Sequence, residues 1–294
     1  LCVFFAAYPP LINWFSFGLD GIFKYLAADT FYYLTVANNS GWTPLFSFDG
    51  ELPTNGFHPL YQIYLKIILN IPPLSGDIKN QITFIYFSSI ILISLSTFLI
   101  SVRLIHLGFS KILIVITLVP GFYHIFFSNL SQSGNIWYFN NGMESSFSIF
   151  FFSIIFYFIS KKNFFNFKEN NIKNILLFSI LTVLVVLSRL DDIFIIFAFL
   201  LYLFFLDIKN KHKIKYSIIF FLVTSLFIIS YLIINLSYSG SIMPSSASTK
   251  FGTSAYYNIM SVFNIFLPAG ELMSSNNWIV WEKTSSRALQ IFAP

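Results

Sequence analysis

Long apolar runs alternate with short polar connections along the chain, and this alternation predicts a bundle of membrane-spanning helices. A spanning helix needs about 20 mostly apolar residues. The runs that reach or approach this length are Gln81–Val102, Lys111–Asn129, Ser145–Ser160, Ile175–Leu190, Ile193–Leu206 and Tyr216–Leu236. Another apolar run, over residues 1 to about 17, predicts a truncated first span that bends at Pro9-Pro10. We therefore expect an all-α fold, a single polytopic transmembrane domain over residues 1–294 that is cut at both ends from a longer protein.

The composition favours a membrane protein over a water-soluble domain. Hydrophobic residues make up 56% of the chain and charged residues only 10%, whereas soluble domains carry about 25% charged residues. The net charge of +5 lies in short loops between the apolar runs. It therefore carries information on topology and does not indicate nucleic-acid binding. The single cysteine, Cys2, excludes an intramolecular disulfide and argues against a cysteine-based metal site.

Three connections between apolar runs collect positive charge and predict the cytoplasmic side. They hold ten of the 17 Lys and Arg residues: Arg103, Lys111, Lys161, Lys162, Lys168, Lys173, Lys209, Lys211, Lys213 and Lys215. Of the 12 acids, only Glu169 and Asp207 share these loops. The positive-inside rule places such loops in the cytoplasm. Residues 130–144, residues 189–192 and the chain after about residue 237 are then extracytoplasmic.

The apolar segment Phe57–Leu74 has to stay on one side of the membrane for this topology to hold. Its flanking prolines leave only about a dozen apolar residues, which suits an interfacial helix better than a span. Lys66 in its middle fits the same interpretation. If the segment crossed, every later lysine-rich loop would face outward. We therefore predict that residues 18–80 form one extracytoplasmic loop with juxtamembrane helices.

Several polar residues of this loop have simple structural explanations. Asp29 precedes an expected helix over Phe31–Asn38, and its carboxylate could cap that helix. Asp49-Gly50 and Asn55-Gly56 are turn-forming dipeptides. His58-Pro59 could begin the next helix, because proline suits the first helical position.

The order of these elements nevertheless resembles a known family. Asp29 is followed by an aromatic pair, a Phe-Asp-Gly turn and the helix start Thr-Asn-Gly-Phe-His-Pro-Leu. The later elements are Asn141-Gly142-Met143-Glu144, Ser188-Arg189-Leu190-Asp191-Asp192 and Met243-Pro244-Ser245-Ser246-Ala247-Ser248-Thr249-Lys250. Over nearly its whole length the chain is similar to bacterial GT-C glycosyltransferases, the lipid-phosphosugar-dependent enzymes related to protein O-mannosyltransferases and aminoarabinose transferases. The subfamily that it resembles is mostly of undefined substrate.

The resemblance implies a GT-C-like bundle and a reaction outside the membrane. A sugar would pass from a polyprenyl-phosphate carrier to a glycan, lipid or protein acceptor. An acid on the first loop of the family acts as general base or orients the acceptor, and Asp29 occupies that position. Many relatives have two adjacent acids here, whereas this chain has Ala28 before Asp29. This departure weakens the argument for metal binding through an acid pair, although a divalent cation is still possible as a cofactor. A role for Asp29 as a single base is unaffected.

The residue chemistry is compatible with such a transfer and gives the candidate site residues. A carboxylate has to accept the proton of the acceptor hydroxyl, and cations have to hold the departing phosphate. The catalytic candidates are Asp29 and Glu144. The substrate-binding candidates are Tyr32, Asn55, His58, Arg189 and Lys250. Each has a structural alternative: Glu144 could cap a helix that starts at Ser145, Arg189 could pair with Asp191 or Asp192, and Lys250 could snorkel.

Two other functions stay open on the sequence. A transporter or flippase of lipid-linked sugars would have polar, broken helices near the bilayer midplane, whereas the polar groups here collect at one surface. A non-catalytic GT-C-like membrane protein is the other, because a fold does not guarantee an activity. The chain has no Walker-type loop, paired-histidine metal motif or serine nucleophile elbow.

Overall fold

The apolar runs fold as helices, which satisfy all of their own backbone hydrogen bonds and so suit a nonpolar environment. The computed structural model describes residues 1–23, 26–41, 46–116, 118, 141–160, 172–205 and 211–240, all within one unit, Leu1–Ser245. The helices are α1 (Cys2–Phe23), α2 (Ala28–Ser40), α3 (Pro59–Leu69), α4 (Ile78–His106), α5 (Ser145–Ile159), α6 (Ile172–Ser188), α7 (Phe194–Phe205) and α8 (Lys211–Ser239), with a 3-10 turn over Leu190–Ile193. Residues 111–116 are also helical. In this described part, β structure is limited to one isolated bridge between Ser47 and Pro53.

Two of the described helices are long and apolar enough to cross a membrane. These are α4, with 29 residues and a mean hydropathy of 2.1, and residues Ile214–Ser239 of α8, with 26 residues and a mean hydropathy of 2.6. Large apolar side chains on both helices point away from the protein, among them Phe98, Leu226 and Ile234. Apolar surface of this extent needs nonpolar surroundings.

Three of the other predicted spans are shorter in the described structure. Helices α5, α6 and α7 have 15, 17 and 12 residues, below the roughly 20 that a span needs. The predicted helix end at Leu190 is wrong, because α6 ends at Ser188 and Arg189 is extended at φ −150° and ψ 110°. Most of Lys111–Asn129 lies outside the described residues. The non-helical residue inside α1 is Gly18, at φ 56° and ψ −134°.

Two short helices, α2 and α3, lie between α1 and α4. Helix α2 begins at Ala28 and ends at Ser40, so it is longer at both ends than predicted. Helix α3 has 11 residues, about half of what a span needs, and starts with Pro59 at its first position. Lys66 is buried in α3 with its Nζ 4.4 Å from the centroid of the Phe46 ring, and burial lowers its pKa. On which side of a membrane these helices lie stays a prediction.

The helices build two apolar cores. The first lies among α1 to α4 and includes the fully buried Leu34, Leu65 and Tyr86. The second lies among α5 to α8 and includes Phe178 and Phe220, whose rings stack with 5.2 Å between centroids. Helices α4 and α5 pack against each other and connect the two halves.

Hydrogen bonds between distant segments show which connections share an end of the bundle. Asn55 Nδ2 donates to Ser239 Oγ at 2.8 Å, and the Leu190 N–H donates to the ring of His58 at 3.0 Å. At the opposite end, Arg103 Nε donates to Ser160 Oγ. The connections that the charge pattern assigns to the extracytoplasmic face therefore gather at one end, which we call the loop end.

Candidate functional site

The segment Asn141–Glu144 is fastened to the start of α2. The carbonyl oxygen of Asn141 accepts hydrogen bonds from the Ala27 N–H at 2.9 Å and from Thr30 Oγ1 at 2.5 Å. The side chain of Asn141 in turn accepts a bond from the Met143 N–H at 3.0 Å. The two bonds to the Asn141 carbonyl join residues more than a hundred positions apart and hold the first turn of α2 beside the segment that carries Glu144.

Gly142 permits this close approach. Its φ of +77° falls in the left-handed region, which side chains other than glycine rarely adopt. A Cβ atom at this position would lie 2.6 Å from Thr30 Cγ2 and 2.9 Å from Leu26 Cδ2. Both the backbone conformation and the contact with α2 therefore require glycine.

Replacing Gly142 by alanine is expected to lower the free energy of unfolding by about 2–4 kcal/mol. About 1–2 kcal/mol of this loss comes from backbone strain at the left-handed φ, and the rest comes from overpacking against Thr30 and Leu26. Gly50→Ala is the matched control, because Gly50 has a φ of +87° but nothing within 4 Å of an added Cβ. The Gly50→Ala variant should therefore lose only the part of the stability that corresponds to backbone strain. Denaturant titration in mixed micelles would measure both variants, and equal losses would contradict the packing role of Gly142.

Glu144 lies at the centre of the site, with 3% of its side chain exposed. Its Oε2 accepts a hydrogen bond from Tyr33 Oη at 3.4 Å, and its Oε1 lies 3.4 Å from His58 Nε2 and 4.0 Å from Arg189 Nε. Glu144 occupies the N-cap position of α5 but makes no side-chain cap hydrogen bond there. The capping alternative is therefore wrong, and the carboxylate instead accepts from Tyr33 of α2 and faces His58, the N-cap residue of α3.

His58 binds two partners through its two ring nitrogens. Nδ1 accepts the Leu190 N–H at 3.0 Å, so the proton of the neutral ring lies on Nε2, which faces Glu144. Burial lowers the pKa of His58 below its ordinary value of 6.5, although the charge of Glu144 opposes this shift. With Nδ1 accepting the Leu190 N–H, the ring that lies 3.4 Å from Glu144 is in its neutral form.

Arg189 precedes the 3-10 turn and faces two acids. Its Nε lies 3.7 Å from Asp191 Oδ2, in addition to its contact with Glu144. With 41% of the side chain exposed, these contacts contribute little to stability. Neither Nη group of Arg189 has a partner within the described part of the chain. The next acid, Asp192, accepts a hydrogen bond from Ser148, and burial raises its pKa.

Asp29 lies in the first turn of α2 and is exposed. The N-cap residue is Ala27, without a side-chain cap hydrogen bond, so Asp29 does not cap the helix. Its position there agrees with the partial positive charge of a helix N-terminus. Within the described part of the chain, no hydrogen bond or ion pair engages its carboxylate. Because Ala27 and Thr30 both bind Asn141, this free carboxylate lies next to the segment that carries Glu144.

Tyr32 and Asn55 lie at the same end of the bundle but apart from Glu144. Tyr32 Oη shares a 2.8 Å hydrogen bond with Thr54 Oγ1, and its ring stacks on Phe48 with 5.3 Å between centroids. Asn55 is buried and binds α8. Lys250 lies outside the described residues.

Tyr33 is the site residue that the sequence analysis missed. The Tyr33 hydroxyl accepts a hydrogen bond from the backbone N–H of His58 at 3.3 Å and donates to Glu144. Burial raises the pKa of Tyr33, so the donor proton stays in place. The signal was present, because the buried residues Thr30, Tyr33, Leu34 and Ala37 follow the i, i+3, i+4, i+7 period of one helix face. That period directs Tyr33 inward and leaves Tyr32 at the edge.

Neither a search for metal-binding clusters nor a comparison with known proteins assigns a further role to these residues. Within the described ranges, no group of three or more His, Cys, Asp or Glu side chains could hold a metal ion. Comparison of the chain with protein-family models, with curated proteins and with solved structures returns no match.

Proposed function

We propose that this protein is an integral membrane glycosyltransferase that moves a sugar from a polyprenyl-phosphate carrier to an extracytoplasmic acceptor. The observation that carries the proposal is the loop end itself. There Asp29, an exposed carboxylate without a described partner, lies in the turn that is fastened to the segment of the buried Glu144, which faces His58 and the partly exposed Arg189. The resemblance to GT-C enzymes suggests sugar transfer as the reaction that these groups perform.

Asp29 is the base in this proposal. A base for an acceptor hydroxyl must be reachable by a substrate and not already engaged by other donors, and Asp29 meets both conditions in the described structure. It would take the proton of the hydroxyl while the oxygen bonds to the sugar carbon and the carrier phosphate leaves. Glu144 does not suit this role, because it is buried and already engaged by Tyr33 and His58.

Arg189 is the group for the departing phosphate. Two carboxylates hold its Nε edge, while its Nη groups have no described partner and the side chain is 41% exposed. A guanidinium pairs with phosphate oxygens through two parallel N–H bonds. We also propose that Lys250 assists as a second cation, as in the Leu-Pro-x-Ser-x-x-x-Lys element of the resembling enzymes.

The membrane arrangement follows from the charge pattern. Arg103 marks the end of α4 opposite to the loop end, and the lysine-rich connections are assigned to the same side. The positive-inside rule makes that side cytoplasmic in a polytopic bundle, so the loop end faces outward in a cytoplasmic membrane. Between Gln81 and Arg103, α4 carries no charged residue, which favours chemistry at the surface over passage through the bundle.

The proposal predicts turnover by the purified protein in lipid nanodiscs. Polyprenyl-phosphate hexoses and pentoses with a radiolabelled sugar would be supplied with cell-envelope extract as the acceptor source. Transfer of label together with release of polyprenyl phosphate is the expected result. Counterflow of the intact lipid-linked sugar in vesicles without turnover would indicate a transporter instead. Neither activity with any donor would indicate a non-catalytic protein.

A further inference from the structure

The 3-10 turn after α6 begins with a donor that its own segment does not satisfy. Arg189 is the N-cap residue of this turn and makes no side-chain cap hydrogen bond. The first N–H groups of a helical segment need partners from outside it. Leu190 N–H finds this partner in Nδ1 of His58, which lies 132 positions earlier in the chain.

We propose that His58 is a positioning residue that caps the turn at Leu190 and thereby holds Arg189 against Glu144. One ring makes both contacts: Nδ1 accepts from Leu190, and Nε2 faces Glu144 at 3.4 Å. The consequence for catalysis rests on the proposed function. The geometric role does not, and it can be measured without any substrate.

The His58 ring is itself fixed at its backbone. The backbone N–H of His58 donates to Tyr33 Oη at 3.3 Å, and Tyr33 Oη donates to the same Glu144 carboxylate. His58 also precedes Pro59, which restricts it to the extended conformation observed at φ −82° and ψ 119°. The backbone and the ring of His58 thus both converge on Glu144, and the turn is attached to an already rigid group.

This arrangement requires the neutral ring. A proton on Nδ1 would turn the acceptor into a donor that faces the Leu190 N–H, and the hydrogen bond would be lost. The charged groups that face the ring are Glu144, Asp191 and Asp192, which favour protonation, and Arg189, which opposes it. Burial is the largest influence, and the pKa of His58 is lowered. The bond is therefore fully present above about pH 6.5 and is lost as the pH falls through the lowered pKa of the folded protein.

Two substitutions separate the two ring nitrogens. In His58→Asn the side-chain oxygen lies near the position of Nδ1 and can still accept from Leu190. In His58→Gln the amide nitrogen lies near the position of Nε2, so the contact with Glu144 can persist while the cap is lost. His106→Asn is the matched control, because His106 is exposed on the last turn of α4 at the opposite end.

Hydrogen–deuterium exchange of the protein in nanodiscs, resolved at Leu190, tests the cap directly. We expect exchange about tenfold faster in His58→Gln than in the wild type, which corresponds to the loss of one hydrogen bond. His58→Asn and His106→Asn should stay within about twofold of the wild type. Equal protection in His58→Gln, or a ring ¹⁵N spectrum with the proton on Nδ1, would overturn the proposal.

Turnover then distinguishes this inference from the proposed function. If sugar transfer occurs, the wild type should lose kcat/KM for the lipid donor as the pH falls through the lowered pKa of His58, and His58→Asn should not show this step. Transfer in which both proteins show the same pH profile contradicts the positioning role and leaves the glycosyltransferase intact. If exchange at the Leu190 amide depends on His58 but the protein transfers no sugar, the capping role is supported and the glycosyltransferase proposal is rejected.

Discussion

Replacing Asp29 by asparagine should reduce sugar transfer by about 10²–10⁴-fold, the usual contribution of a general base. Asparagine keeps the size and polarity of the side chain but cannot take up the acceptor proton. Asp29 is exposed, and no described residue depends on its carboxylate, so the fold should not change. Initial rates with a lipid-phosphosugar donor would measure the effect, and the amount of protein in the membrane fraction would establish that insertion is intact.

Asp20→Asn is the matched control for this experiment. Asp20 is another exposed acid, near the end of α1 and nine positions before Asp29. Its removal changes the net charge of the protein equally but should leave the rate within about twofold, because Asp20 has no role in the proposed reaction. Full activity in Asp29→Asn, or an equal loss in both variants, would remove Asp29 from the mechanism.

The sequence was sufficient to predict the helical class and the convergence of distant loops. Continuous apolar runs specify α4 and α8, because their length and composition do not depend on contacts elsewhere. The charge pattern assigned His58, Glu144 and Arg189 to one face, and the structure brings these three side chains together. The glycosyltransferase assignment stays a prediction, since it depends on resemblance and not on geometry.

The roles within the site could not be predicted, because they depend on backbone conformation and helix rotation. Glu144 fits a helix cap by sequence, but the φ of +77° at Gly142 and the contacts of Asn141 turn its segment toward α2 and α3. The bond between His58 and Leu190 joins segments 132 positions apart, and no local pattern encodes it. The alternative that paired Arg189 with Asp191 is confirmed at 3.7 Å, yet Arg189 also faces Glu144.

Glu144→Ala is the second change with a large expected effect, and it should act mainly on stability. Alanine would leave the buried Tyr33 hydroxyl without its acceptor and would remove the carboxylate that faces Nε2 of His58. A buried donor without a partner costs about 1–3 kcal/mol, so the free energy of unfolding should fall by about 2 kcal/mol. The Arg189 contact adds little to this value, because that side chain is partly exposed.

Glu51→Ala provides the comparison, because Glu51 is an exposed acid at the same end of the bundle and follows the Asp49-Gly50 turn. It should change the stability by less than about 0.5 kcal/mol. Glu144→Gln should fall between the two, since its amide oxygen can still accept the hydrogen bond from Tyr33 while its amide nitrogen carries no charge to face His58. Denaturant titration in mixed micelles gives all three values. Glu144→Ala at wild-type stability would mean that the carboxylate does not organise these donors, and Glu144 would then be available for a direct role with substrate.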